Sequence, residues 1–106
     1  MTKMTTEEAF VKVLQTHGIE QAFGIIGSAF MPISDLFPAA GITFWDVAHE
    51  SNGGLIADGY TRATGKMSMV IAQNGPGITG LVTPIKTAYW NHTPLLLVTP
   101  QAANKT

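Results

Sequence analysis

The apolar positions of this chain change their period repeatedly, and the changes divide it into eight elements. Thr5 and Glu8 stand at capping-box spacing, and Phe10, Val13, Leu14 and His17 then recur at i, i+3, i+4 and i+7. That is one face of a helix, which Gly18 stops. Gln21 to Ile26 is an apolar run too short for a helix and bounded by Gly27, which predicts a buried strand. A brief helix over 30–37 follows, with Pro32 in its first turn, where a missing N–H does no harm, and Pro38 and Gly41 ending it. Ile42 to Val47 is the second strand. His49 to Thr64 makes the third helix, with Leu55, Ile56, Tyr60 and Ala63 as its apolar side, Asp58 and Arg62 as a surface pair, and Gly65 closing it. Met67 to Gln73 is the third strand and Asn74-Gly75-Pro76-Gly77 a turn. Ile78, Leu81, Val82, Ile85 and Tyr89 then repeat at helical spacing to about Asn91, and Pro84 inside that stripe predicts a kink or short irregularity. Pro94 to Thr99 is the fourth strand, which Pro100-Gln101 leaves.

The order α-β-α-β-α-β-α-β with short connections predicts an α/β fold, a parallel sheet with helices on both faces. At 106 residues the chain is one domain, and 45% apolar residues can form a core. Only 12% of residues are charged, about half the usual share, although a small domain has much surface to cover. We therefore expect the chain to be part of a larger protein or of a tight oligomer. The absence of a covering helix after the fourth strand points the same way. A net charge of −1 argues against a nucleic-acid partner. All seven acids lie at or before Asp58, and the bases that follow, Arg62, Lys66, Lys86 and Lys105, are scattered and form no patch. There is no cysteine, hence no disulfide or thiolate chemistry. The polar N-terminus lacks the apolar stretch of a signal peptide, and no apolar run is long enough to span a membrane. The default is a cytoplasmic protein with no membrane partner.

The unusual residues fall together. Gly27-Ser28, Ala48-His49-Glu50, Gln73-Asn74-Gly75-Pro76-Gly77 and Pro100-Gln101 all lie just past the carboxyl ends of successive strands. Those ends share one edge of a parallel sheet, where such folds bind ligands. Glu50 there has two readings. It is either a first-turn acid favoured by the helix dipole, worth about 0.3–1 kcal/mol, or a catalytic acid or base. Gly53 and Gly54 each cost about 1 kcal/mol relative to alanine in a helix, which suggests close approach of another backbone or a ligand. Gly75-Pro76-Gly77-Ile78-Thr79-Gly80 matches G-x-G-x-x-G, but no acid follows Asp58 to hold a ribose and Pro76 removes an N–H from the loop. A tight turn with a prolyl start to the helix accounts for it more simply, and is compatible with a rigid apolar wall against a flat heterocycle. The histidines at 17, 49 and 92 have no metal-ligand spacing, so no metal site is expected within this chain. Ser28 is not flanked as a nucleophile elbow. His17 reads as a last-turn residue, and His92 as a cap on the helix before it.

With Glu50 after a strand, Ala57-Asp58-Gly59-Tyr60-Thr61-Arg62-Ala63-Thr64-Gly65 downstream and the Gly75-Pro76-Gly77 turn, the sequence resembles the thiamine-diphosphate enzymes of the acetolactate synthase and pyruvate oxidase superfamily. Residues 1–106 are similar to their N-terminal pyrimidine-binding domain. The longer stretches 23–29, 42–46 and 88–101 resemble the branch that acts on sulfoacetaldehyde and phosphate. The resemblance implies a thiamine diphosphate cofactor and a catalytic role for Glu50. A carboxylate hydrogen-bonded to N1′ of the aminopyrimidine favours the imino tautomer, whose nitrogen takes the thiazolium C2 proton; the protein sets the electronics and the cofactor does the chemistry. By the same resemblance Gly75, Pro76 and Gly77 lie against the pyrimidine, with Ile25 and Ile26 near it. His49, Gln101 and Ser28 are candidates for the substrate side. The family's diphosphate and its Mg2+ bind a separate C-terminal domain, through a Gly-Asp-Gly…Asn motif that these residues do not contain. The site lies between subunits, which implies a homodimer or homotetramer and no turnover by these residues alone. One departure stands out, Gly80 where the family usually has asparagine. The alternatives are an acetolactate synthase-like enzyme acting on 2-oxoacids and a non-catalytic α/β interaction domain.

Overall fold

Strands β1 (Gln21–Gly24), β2 (Thr43–Asp46), β3 (Ser68–Ile71) and β4 (Leu95–Val98) form one parallel sheet in the order β2-β1-β3-β4. The structure is a computed structural model that describes residues 3–27, 30–73 and 75–101. From β1 the chain steps outward to β2, returns past β1 to β3 and continues the other way to β4. Its direction therefore reverses between β1 and β3. At such a switch point the connections leaving neighbouring strands diverge and open a crevice at their carboxyl ends.

Helices cover both faces, as the element order predicts. On one face α1 (Thr6–Thr16), α2 (Met31–Ser34) and α3 (Phe37–Ala40) enclose a core of Val11, Leu14, Phe30 and Phe37 against Ala22, Met69 and Ile71. On the other, α4 (Glu50–Thr64), α5 (Pro76–Thr79) and α6 (Val82–Trp90) follow the second and third strands, with Ala57 and Leu81 packed on Phe23, Val70 and Ala72. The alternation Ala22/Phe23 and Met69/Val70/Ile71/Ala72 between the two cores is the period of a strand buried on both sides. All four residues of β3 are buried, whereas β2 is an edge strand whose Trp45 lies outside and donates its indole N–H to Gln21 Oε1 at 2.6 Å.

Several elements differ from the sequence expectation, each for a local reason. α1 has its capping box, Glu8 N–H to Thr5 Oγ1 and Thr5 N–H to Glu8 Oε1, both at 3.2 Å. It closes at Gly18 as expected, with Gly18 N–H on Gln15 O and Ile19 N–H on Leu14 O. Its buried face holds Val11 and Leu14, however, and Val13 is 55% exposed. The single helix expected over 30–37 is two separate turns, and Pro38 sits inside the second rather than ending the first. A proline cannot donate to the carbonyl four residues back and its ring crowds that carbonyl, here Ser34, so the first turn stops and a new one starts. The same effect places the irregularity expected near Pro84. The break falls at Gly80 and Leu81, between α5 and α6, and Gly80 carries the carbonyl that Pro84 cannot bond. His92, at φ 58°, follows α6 in the left-handed position, with its N–H on Tyr89 O and that of Thr93 on Ala88 O.

The largest correction concerns α4 and α6. The Leu55/Ile56 side of α4 is the outer one, 42% and 47% exposed, and so are Ile78, Val82, Ile85 and Tyr89 before and along α6. What α4 buries is Glu50, Gly53, Gly54, Ala57, Asp58 and Thr61. A Cβ on Gly53 would lie 3.4 Å from the Gly24 backbone of β1, and one on Gly54 would strike the Pro84 ring, with Cγ at 2.5 Å. The two glycines thus serve the close approach their cost suggested. The Asp58–Arg62 pair forms at 2.9 Å, yet Asp58 is buried, so it is not a surface pair. Its Oδ1 has no partner among the described residues.

Two substitutions in this helix should act with opposite signs. Gly54→Ala drives a methyl into a ring that cannot swing away and should cost roughly 1–3 kcal/mol. Gly59→Ala, with nothing within 4 Å of the new carbon, should stabilise by about 0.4–1 kcal/mol. Denaturant midpoints of the two variants check both.

Candidate functional site

The crevice between β1 and β3 is furnished from three connections. The first joins β2 to α4. His49 is the N-cap of α4, extended at φ −147°, ψ 139°, and its Nδ1 accepts the Ser51 N–H at 3.0 Å. A neutral imidazole with Nδ1 engaged as acceptor carries its proton on Nε2. Fixing the cap fixes the next side chain, Glu50, as the first residue of the helix. Glu50 is only 8% exposed. Among the described residues its carboxylate makes no hydrogen bond and no ion pair.

The second connection follows β3. Gly75 holds φ 76°, ψ −119°, in the region of positive φ that favours glycine, and caps α5, whose first residue is Pro76. Ile78 N–H on Gly75 O and Gly80 N–H on Pro76 O, both at 3.0 Å, tie the turn. Gly77 is buried where Pro76 is exposed. A Cβ on Gly77 would lie 2.5 Å from Glu50 Oε2 and 3.1 Å from its Cδ. The carboxylate therefore rests in the place of a missing side chain. Gly80 stands in the same relation to His49, whose Cε1 would be 3.1 Å from a Cβ there. A side chain at 80 would need that ring to give by a few tenths of an ångström.

The third connection follows β1. Ile25 and Ile26 are half-buried; Ile25 N–H donates to Ile71 O at 3.2 Å, and Ile26 packs on the core beneath. Gly27 meets Gln73 across the crevice. A Cβ on it would overlap the carboxamide of Gln73, with Cδ at 2.7 Å and Nε2 at 3.0 Å.

Glu50, Gly75, Pro76, Gly77, Ile25 and Ile26 thus occupy the connections at one carboxyl edge, and His49 joins them through Gly80. Gln101 leaves β4, which lies beyond β3 from the crevice. Ser28 and Asn74 lie outside the described residues. Sequence reasoning ended the third strand at Gln73 and counted it among the residues at the strand ends, but did not name it as a site residue. Its signal is the pairing with Gly27, visible only once β1 and β3 are neighbours. Among the described residues no group of three or more His, Cys, Asp or Glu could hold a metal ion. Among the described residues no helix is long and apolar enough to cross a membrane. Chemically, the edge offers a carboxylate from a largely buried residue, bonded to none of the described residues, beside a rigid glycine–proline wall. That suits a flat heterocycle with an N–H or a basic ring nitrogen.

Comparison with known proteins agrees with this chemistry. The family model described as thiamine pyrophosphate enzyme, N-terminal TPP binding domain, matches residues 4–106. A sulfoacetaldehyde acetyltransferase of Roseovarius nubinhibens is 83% identical over 104 residues, covering 98% of this chain and 17% of that protein. An acetolactate synthase of Arthrospira platensis is 38% identical over 103 residues, covering 93% of this chain and 18% of that protein. The solved structure of benzoylformate decarboxylase from Polynucleobacter necessarius shares the fold, with a TM-score of 0.87 at 24% identity over 97% of this chain and 19% of that one. The chain thus spans less than a fifth of the length of each of these proteins.

The cap that orients Glu50 can be tested by stability. His49→Ala removes the acceptor of the Ser51 N–H and should cost about 0.5–2 kcal/mol. His49→Asn, which keeps a capping oxygen, should lose clearly less in the same denaturant titration.

Proposed function

Because the chain belongs to the thiamine pyrophosphate enzymes, matching their N-terminal TPP binding domain, we propose that it forms the pyrimidine-binding part of a sulfoacetaldehyde acetyltransferase. The observation that carries this reading is Glu50, a largely buried residue whose carboxylate is seated against Gly77 and bonded to none of the described residues. The gap between 83% identity to an acetyltransferase and 38% to an acetolactate synthase supports that activity over its relative. The overall reaction takes sulfoacetaldehyde and phosphate to acetyl phosphate and sulfite.

Thiamine diphosphate, when bound, supplies the carbon nucleophile of the reaction. The residues of this chain prepare it. Glu50 holds a proton at N1′ of the aminopyrimidine, the position for which its carboxylate has no competing donor. Gly75, Pro76 and Gly77 form a wall that cannot flex, since proline fixes its own φ. Ile25 and Ile26 keep water from the ring beside them. His49 offers an Nε2 proton to substrate, with Gln101 and Ser28 as further substrate-side residues. The diphosphate and Mg2+ are held by a separate C-terminal domain, and the working enzyme is a cytoplasmic homodimer or homotetramer.

The test uses the full-length protein with thiamine diphosphate and Mg2+. It should release sulfite from sulfoacetaldehyde only when phosphate is present. Glu50→Gln, close to isosteric, should lower turnover by roughly 100-fold or more. Acetolactate formed from pyruvate without sulfite release would reject the acetyltransferase reading. Cofactor binding and turnover untouched by Glu50→Gln would point to a domain that keeps the fold without the chemistry.

A further inference from the structure

The geometry points to Gln73 as a specificity-determining residue whose carboxamide, seated by Gly27 and Gly77, donates to the anionic head of the substrate. This rests on the reading of the site as that of a sulfonated-aldehyde enzyme.

Three observations carry it. First, Gln73 is exposed yet confined. Its backbone follows Ala72, which is buried and donates its N–H to Val98 O at 3.2 Å. Its Cβ lies 3.3 Å from where a Cβ on Gly77 would be, and its carboxamide covers Gly27 from the opposite strand. A glutamine at a surface normally sweeps through many rotamers. Two glycines here give this one a groove to lie in, and a side chain ordered before binding loses less entropy on binding. Gly27 is not at positive φ, so contact with Gln73, not backbone strain, is what excludes a side chain there.

Second, the amide tip has no hydrogen-bond partner among the described residues, although its stem is packed. It has two N–H donors and a carbonyl to offer. Its oxygen and its nitrogen both lie against Gly27, and neither is bonded to a described residue. Gly77 also receives the Glu50 carboxylate. Glu50 and Gln73 thus share Gly77 as a neighbour at one rim of the crevice.

Third, the edge has no cation. The segments 25–27, 47–50, 72–77 and 99–101 contain neither lysine nor arginine, and Glu50 is their one acid. Within these segments a sulfonate meets one carboxylate and otherwise only neutral donors. The Gln73 amide is such a donor, without a charge that would pair with Glu50 and pull it from its place.

The experiment uses the full-length protein with thiamine diphosphate and Mg2+. Ethanesulfonate serves as an unreactive probe of the sulfonate site, and propanal as a probe that keeps the aldehyde and lacks the sulfonate. Gln73→Leu should raise the KM for sulfoacetaldehyde and the inhibition constant of ethanesulfonate by roughly 10- to 100-fold, the loss expected when a donor to a charged group is removed. Inhibition by propanal and the affinity for thiamine diphosphate, read by tryptophan fluorescence, should stay within about threefold of wild type. Gln73→Glu should weaken ethanesulfonate further than Gln73→Leu. Gly27→Ala should move in the same direction, because the new methyl displaces the amide. The inference is overturned if ethanesulfonate binds all three variants as it binds wild type, or if propanal is lost equally. Loss of cofactor affinity in all three overturns it too, since Gln73 would then support the fold. Wild-type protein that releases no sulfite rejects the functional reading itself.

Discussion

How closely α4 can lie on the sheet decides the rest of this structure. The face that α4 turns inward begins with a carboxylate and then carries almost no side-chain bulk, with Gly53 on the backbone of β1 and Gly54 on the ring of Pro84. Two glycines in one helix forfeit about 2 kcal/mol of helix propensity. That loss is offset by contact at van der Waals distance along the sheet, where density, not polarity, sets the strength of packing. With larger residues at 53 and 54 the helix would stand off from the sheet. Glu50, at its first turn, would then be carried away from the Gly75–Gly77 turn it now touches.

The rim repeats this device. Glu50, Gln73 and His49 each lie where Gly77, Gly27 and Gly80 lack a side chain. The polar groups are located by shape rather than by bonds to one another, which leaves the Glu50 carboxylate and the Gln73 amide unspent. Little of Glu50 is exposed, and a ligand that supplies a donor completes its carboxylate on binding. The site is thereby arranged before its ligand arrives.

Much of this was legible in the sequence, and the limits follow from physics. The alternation of short apolar runs with helical stretches gave the parallel α/β sheet, and the clustering of Gly27, Glu50 and Gly75-Pro76-Gly77 after strands marked one edge. Periodicity misjudged which side of α4 and α6 is buried. It weighs a large apolar residue as a core residue, whereas these helices bury small ones and present Leu55, Ile56, Val82 and Ile85 outward. Pro38 and Pro84 were read as acting at their own positions, but a proline disturbs the carbonyl four residues earlier, so the breaks fall upstream. Gln73 was placed at this edge but given no role, because its partner is Gly27, distant in sequence. The pairing of β1 with β3 that unites them is not written in either segment.

The strand order also governs the sequence of events during synthesis. Of these four strands β1 is the first to leave the ribosome, and one of its edges is taken by β2 soon afterwards. The other edge has to wait for β3, where Gly24 meets Ile71. At about 5–20 residues per second that interval lasts on the order of a few seconds. For that time an apolar strand offers a bare row of amides and carbonyls to any neighbouring chain, a template for wrong pairing. The crevice is accordingly among the last features to form, because one of its two walls belongs to the strand that ends this wait.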